Sequence, residues 1–451
     1  MHPVDLSCEL AGIRAPNPFW LASAPPTNTA TQVLRAYEWG WGGAVWKTLG
    51  KPVRNVQPRF TAMHTAAERM VGFSNIELIT DRPLEDNYRE IAAVTARYPD
   101  RATIVSLMFE TEDEWKEHIE RSVAVGAQGL ELNFGCPHGM CERGMGSAVG
   151  QEPALVETIT RWAVRYAGVP VLVKLTPNVT DIIPPALAAQ RGGAHGVSLI
   201  NTIKSVMGVD LDRMVPLPVV GDASTNGGYC GPAVKPIALH MVGALARHPE
   251  FRLPISGMGG IGTWRDAAEF LALGARSVQI CTAVMHHGYR IIHDLTEGLG
   301  HWMEEKNYRT LDDLIGRAVP NFRSWEDLDL NHRVVARIQT DKCIGCQLCY
   351  VACLDGSHQC IYLPDAEHPD APIRLATESR MPWVAENECT GCQLCHLVCP
   401  VEGAIKMVPL HTGQPRQSWR ELQALAVTES GTSNDSTLEG RQGFWQTQGI
   451  G

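Results

Sequence analysis

The sequence predicts an α/β protein, a (β/α)8 barrel followed by a small α+β unit, and three observations carry that prediction. Between residues 18 and 283, short apolar runs rich in β-formers alternate with longer amphipathic stretches, the pattern of repeated βα units. Cysteines crowd into residues 343–399 at metal-ligand spacing. At 451 residues the chain also exceeds what one hydrophobic core normally organises.

The β-rich runs are 18–24, 43–49, 103–109, 129–135, 170–176, 196–202, 254–260 and 277–283. Eight parallel strands spread over about 265 residues is the arithmetic of a (β/α)8 barrel, whose active site lies where the strands end. Polar or small residues stand at those ends: Ser23, Lys47, Asn133 with Cys136, Lys174, Asn201 with Thr202, and the glycines of 257–260. One such residue is easily tolerated at a solvent-facing strand end. Six ends together are harder to dismiss. Residues 1–300 are therefore assigned to the barrel and 301–334 to a helical linker. Residues 335–410 form a ferredoxin-like domain, and 411–451 a disordered tail rich in Gln, Gly, Ser and Thr.

Apolar residues make up 44% and charged residues 20% of the chain, which suits a globular protein and excludes wholesale disorder. A net charge of −10 without a Lys/Arg-rich run argues against nucleic acid as a partner. The N-terminal MHPVDLSCEL lacks a basic stretch followed by an apolar core. No apolar run approaches the roughly 18 residues of a membrane span, so the expected location is cytoplasmic and away from membranes.

Cys389, Cys392, Cys395 and Cys399, followed by Pro400, spell the C-x2-C-x2-C-x3-C-P run that holds a [4Fe–4S] cluster in bacterial ferredoxins. Cys343, Cys346, Cys349 and Cys353 repeat the spacing, with Leu354 in place of the proline. In tandem runs the fourth cysteine crosses to the other cluster. One cluster is thus assigned to Cys343, Cys346, Cys349 and Cys399, the other to Cys353, Cys389, Cys392 and Cys395. Paired C-x2-C motifs also bind zinc, but two four-cysteine runs at this spacing favour clusters. Cys360 is left over and reads as a packing residue.

The segment from Gly257 to Gly262 matches G-x-G-x-x-G, yet Ser277 and Val278 stand where a dinucleotide fold wants an acid to hold the ribose. In the seventh loop of a barrel the same glycines form a cradle for one phosphate, which Thr282 completes. One phosphate, no dinucleotide motif and two one-electron clusters call for a mononucleotide that converts one-electron into two-electron chemistry, namely FMN. Lys174, in VLVKL, is placed to stabilise the anionic edge of a reduced flavin; the alternative is a surface lysine with a snorkelling stem. Asn75, Asn133, Asn201 and Thr202 gather amides and a hydroxyl at the mouth, where no catalytic carboxylate pair is evident. Such groups suit a flat, neutral ring with alternating C=O and N–H. Cys136 opens a Gly-rich loop and is a candidate acid, although most free cysteines are packing residues.

The motifs NPFWLASAP, WKTLG, FSNIELI, ELNFGCPHGMCERGMG, VLVKLTPNVTD, INT, YCGPAVKPIAL and SGMGGI, with both cysteine runs, resemble those of the NAD-dependent dihydropyrimidine dehydrogenases, in the subunit that carries FMN and clusters. The resemblance covers about residues 5–405. It implies FMN held by Ser23, Lys47, Lys174, Gly231, Met258, Gly259, Gly260, Cys281 and Thr282. It implies pyrimidine contacts from Asn75, Asn133, Asn201 and Thr202, with Cys136 exchanging the proton at C5. A departure is Gly135, where the family usually has serine; Cys141 is a second thiol in the same loop, where related dihydroorotate dehydrogenases place an active-site cysteine.

The function read from this is interconversion of uracil or thymine with their 5,6-dihydro forms. The resemblance implies a separate partner subunit carrying FAD and NAD(H), in a heterotetramer. Two rivals stand beside it. A dihydroorotate-dehydrogenase-like enzyme acting on another cyclic amide would need a cation for a substrate carboxylate. A non-catalytic electron-transfer subunit would not need the asparagine and cysteine set.

Overall fold

A computed structural model describes residues 4–66, 70–137, 144–364, 367–369, 371 and 381–430. These fall into two compact units that divide between Phe322 and Arg323.

In the first unit, eight parallel strands close into a barrel. They are β1 (Phe19–Leu21), β2 (Gly43–Leu49), β3 (Ala102–Leu107), β4 (Gly129–Asn133), β5 (Val171–Lys174), β6 (Gly196–Leu199), β7 (Ile255–Met258) and β8 (Ala275–Ile280). Each pairs with its neighbours in sequence, and β8 closes on β1 through Val278↔Phe19 to Ile280↔Leu21. All eight expected runs are strands. Most stop two or three residues short of the expected C-terminal end, because there the chain turns out of the ladder to present side chains at the mouth.

The strands are buried on both faces. Their outward residues meet amphipathic helices such as α1 (Ala30–Trp39) and α2 (Glu112–Ala124). Thr29 caps α1 by accepting from the Gln32 N–H, and Thr111 and Glu114 form a reciprocal capping box on α2. Inward, the barrel carries a polar layer that includes Ser106, Glu131, Ser198, Ser256 and Gln279. The loops after β2 and β6 contribute a four-stranded antiparallel sheet, ordered Ile203–Ser205, Gly227–Cys230, Gly72–Asn75, Phe60–Met63.

The stretch assigned to a helical linker is different in the structure. The helix Ile291–Glu305 already crosses residue 300, and beyond it come only single 3-10 turns at Leu311–Asp313, Val319–Asn321 and Trp325–Asp327. Leu311 and Leu314 are buried in the barrel's core, and Arg247 stacks 4.8 Å from the Phe322 ring. Burial of these side chains makes the segment up to Phe322 part of the first unit rather than a free connector, while Arg323 and the turn at Trp325–Asp327 belong to the second.

The second unit is framed by an antiparallel pair, β9 (Arg333–Ile338) and β10 (Ile405–Leu410), in register from Arg333↔Leu410 to Ile338↔Ile405. Between them lie both cysteine runs, a helix α3 (Leu348–Gly356) and a short pair joining Ile361–Tyr362 to Trp383–Val384. The expected tail is also corrected in part: Trp419–Ser430 is a helix. Ser418 and Glu421 exchange capping bonds at its start, and Arg420 pairs with Asp327 at 2.7 Å. The S-x-x-E signal at 418–421 was legible behind the polar composition. Residues 431–451 lie outside the described residues. Among the described residues no helix is long and apolar enough to cross a membrane.

Candidate functional site

One cleft at the C-terminal ends of the barrel strands is lined by all the catalytic, substrate and cofactor candidates that the sequence placed on the barrel. Ser23, Lys47, Asn75, Asn133, Cys136, Lys174, Asn201, Thr202, Gly231, Met258, Gly259, Gly260, Cys281 and Thr282 all face it. Cys141 lies outside the described residues.

The floor is built by a hydroxyl–amide chain. Thr48 Oγ1 lies 3.1 Å from Ser23 Oγ and 2.9 Å from Ser106 Oγ, and accepts from Asn133 Nδ2 at 2.9 Å. Asn133 Oδ1 accepts from the Gly135 N–H at 3.2 Å and from Asn201 Nδ2 at 3.3 Å. Asn75 Nδ2 donates to the Gly228 carbonyl across the mouth sheet at 3.3 Å. Among the described residues, Asn75 Oδ1 and Asn201 Oδ1 accept no hydrogen bond, so two amide oxygens remain for ring N–H donors.

Gly135 has no room for a side chain: a Cβ there would sit 2.3 Å from Asn201 Nδ2 and 2.5 Å from Asn201 Cβ. Where the resembled family usually carries serine, the Asn201 amide occupies the space. Cys136 follows, buried beside Ile79, Met108 and Met145.

Both lysines are buried rather than snorkelling, each with a carboxylate that the sequence reading did not single out. Lys47 Nζ is 2.8 Å from Glu77 Oε2, while Arg59 holds Glu77 Oε1 at 2.7 Å. Lys174 Nζ is 3.6 Å from Glu131 Oε1, beyond hydrogen-bond reach. Glu131 is fully buried; its Oε2 accepts from Ser198 at 2.7 Å and Gln279 at 3.0 Å, and its Oε1 has no hydrogen bond. The available signal was an acid two residues before Asn133 in the run GLELN, hence on the same inward face of β4.

The G-x-G-x-x-G segment leaves β7 into the seventh barrel loop. Gly259 and Gly260 have φ of +126° and +76°, and Gly231 has +91°. A Cβ on Gly260 would lie 2.8 Å from Gly231 O and 2.9 Å from Lys235 Cβ. The backbones of two loops therefore meet without side chains between them, a cradle that suits a phosphate. Beside it Thr282 donates to Cys230 Sγ at 3.3 Å, and the Cys230 thiol donates to the Phe73 carbonyl at 3.2 Å. Burial pushes the Cys230 thiol up to about 11, and burial with Cys230 nearby pushes Cys281 up to about 12, so both are neutral thiols. A glycine cradle, buried ammonium groups and a Glu131 oxygen without a hydrogen bond fit a polar, phosphorylated cofactor.

In the second unit, Cys343, Cys346, Cys349 and Cys399 surround one small cavity with Ile338, Ile344 and Ile405. Cys353, Cys389, Cys392 and Cys395 surround another with Ala336, Ile361 and Met407. The fourth cysteine of each run stands at the other run's cavity. Cys360 also lines the second cavity. Four thiols in an aliphatic surround are the donor set of an iron–sulfur cluster.

Fold and site define a flavin- and iron–sulfur-dependent oxidoreductase. Residues 5–303 match the dihydroorotate dehydrogenase family, whose barrels bind FMN, and residues 336–407 match the 4Fe-4S dicluster domain. The chain is 44% identical over 357 residues to the NAD-dependent dihydropyrimidine dehydrogenase subunit PreA of Escherichia coli (strain K12), covering 79% of this chain and 87% of the relative. It is 42% identical to the chloroplastic dihydropyrimidine dehydrogenase (NADP(+)) of Arabidopsis thaliana, over 72% of this chain and 79% of the relative. It is 36% identical to the catalytic subunit of dihydroorotate dehydrogenase B (NAD(+)) of Pyrococcus horikoshii, over 70% of this chain and 98% of the relative. The chain belongs to the dihydroorotate dehydrogenase family and, within it, to the dihydropyrimidine dehydrogenases. Its barrel carries FMN and its second unit [4Fe–4S] clusters.

Proposed function

We propose that the barrel cleft interconverts uracil or thymine with 5,6-dihydrouracil or dihydrothymine, and that the clusters exchange the electrons with a separate FAD- and NAD(H)-binding subunit in a heterotetramer. The observation that carries this is the convergence of Asn75, Asn133, Asn201, Thr202 and Cys136 on one cleft that two buried lysines also line. Asn75 Oδ1 and Asn201 Oδ1 accept from ring N–H groups, while amide N–H and the Thr202 hydroxyl donate to ring carbonyls. Cys136 gives its proton to C5 in reduction and takes it back in oxidation. Ser23, Lys47, Lys174, Gly231, Met258–Gly260 and Cys281–Thr282 hold the cofactor, with the cradle taking its phosphate. FMN supplies hydride exchange at C6 and single-electron exchange with the clusters. Cys343, Cys346, Cys349 and Cys399 ligate one cluster; Cys353, Cys389, Cys392 and Cys395 ligate the other.

The cations in the cleft favour a neutral ring over a carboxylate-bearing one: Lys47 already faces Glu77, and Lys174 faces Glu131. Free thiols and oxidisable clusters suit the reducing cytoplasm. The test is anaerobic mixing of the holoprotein with dihydrouracil, dihydrothymine and dihydroorotate, read as bleaching of the flavin band. Bleaching by the first two and not the third is expected; bleaching by dihydroorotate alone overturns the assignment.

A further inference from the structure

The two cysteine loops are near copies in backbone conformation. Gly345 and Gly391 have φ of +68° and +73°, and Gln347 and Gln393 have +63° and +70°. Each loop therefore presents its main-chain donors in the same way. The two cavities differ in what approaches the sulfurs from outside the loops. At the first, the described donors to ligand sulfurs are main-chain groups: the Gly345 N–H, 3.5 Å from Cys343 Sγ, and the Tyr350 N–H at Cys349. At the second, Ser357 Oγ is 3.0 Å from Cys392 Sγ. Cys360 adds two contacts to Cys353 Sγ, its N–H at 3.4 Å and its thiol at 3.7 Å.

Cys360 is not a bystander of packing alone. It is buried, lines the second cavity and sits directly behind a ligand sulfur. A thiolate bound to iron has no proton to give, so in both side-chain pairs Ser357 and Cys360 are the donors. Hydrogen bonds to cluster sulfurs favour the more negative, reduced state and raise the reduction potential. The Cys360 thiol is a weak donor in a dry site, whereas the Ser357 hydroxyl is a stronger one at the exposed Cys392.

We propose that Cys360 and Ser357 are positioning donors that make the cluster of Cys353, Cys389, Cys392 and Cys395 the higher-potential member of the pair. The relay then has a preferred place for its first electron. This rests on the ligand sets proposed above.

The experiment is a redox titration of the holoprotein monitored by electron paramagnetic resonance, with iron counted in every variant. Cys360→Ala and Ser357→Ala should each lower one of the two cluster potentials, the same one, at full iron content, and the double variant should lower it further. Cys360→Ser, which keeps a donor, should restore it. In Cys392→Ala, which removes a ligand of the second cluster, adding Cys360→Ala should leave the remaining potential unmoved. Unchanged potentials at full iron content overturn the proposal, as does loss of a cluster in Cys360→Ala, which would make Cys360 a ligand. If Cys392→Ala keeps both clusters, the ligand assignment itself fails, a result separable from the first two.

Discussion

Gly135→Ser is the perturbation whose outcome the geometry fixes most closely. A Cβ at this position would lie 2.5 Å from Asn201 Cβ, about 0.9 Å inside the 3.4 Å at which ordinary contact begins. The obstacle includes Asn201 Cβ, so a simple swing of the amide does not relieve it. Either the Phe134–Cys136 backbone shifts or Asn201 retreats and gives up its 3.3 Å bond to Asn133. Overpacking of this kind costs about 1–3 kcal/mol. On the substrate side, losing the hydrogen bonds of one amide to a neutral ring costs about 1–3 kcal/mol, or roughly five- to 150-fold in kcat/KM. Gly135→Ala separates sterics from hydroxyl chemistry, because it adds the Cβ alone and should cost nearly as much. The assay pairs kcat/KM for dihydrouracil oxidation with the thermal midpoint of the FMN-loaded protein. A serine variant with wild-type kcat/KM and an unshifted midpoint would refute the claim that Asn201 needs this space.

Cys136→Ala should retain FMN and lose about 10²–10⁴ in pyrimidine turnover, since a general acid contributes that much; Cys141→Ala should do far less, and the reverse ranking in rapid-mixing kinetics removes Cys136 from the role. Cys392→Ser should halve the iron content and cut electron exchange with an NAD-linked partner, yet leave flavin bleaching by dihydrouracil measurable. With its thiol pushed up to about 11 by burial, Cys230 has about a hundredfold less thiolate at pH 8 than a thiol of ordinary pKa 9.0. Its alkylation, followed by peptide mass spectrometry, should be correspondingly slow and climb until about pH 11; a plateau near pH 9 contradicts the burial argument. The isolated holoprotein should not oxidise NADH, because its G-x-G-x-x-G glycines sit in a barrel loop, and robust NADH oxidation free of diaphorase would remove the need for a partner.

Much of the molecule was legible in the chain. Strand runs punctuated by Gly and Pro announce themselves through local β-propensity and burial, and all eight became barrel strands. The fourteen barrel residues named from strand ends, glycines and motifs line one cleft because barrel topology sends every strand's C-terminal end to the same face. Cysteine spacing is likewise local information, carried by tight turns at Gly345 and Gly391.

Ion pairing and close approach were decided only by tertiary structure. Glu77 and Lys47 are thirty residues apart in sequence, and Glu131 and Lys174 belong to different strands; neither pair has a sequence spacing that marks it. The crowding of Gly135 by Asn201 and of Cys353 by Cys360 depends on how segments far apart, or looped back, meet in three dimensions. Local pattern determines which elements form and which chemistry they bear. Which carboxylate faces which ammonium, and which thiol lies behind which sulfur, follows from packing, where long-range contacts leave no periodic trace in the sequence.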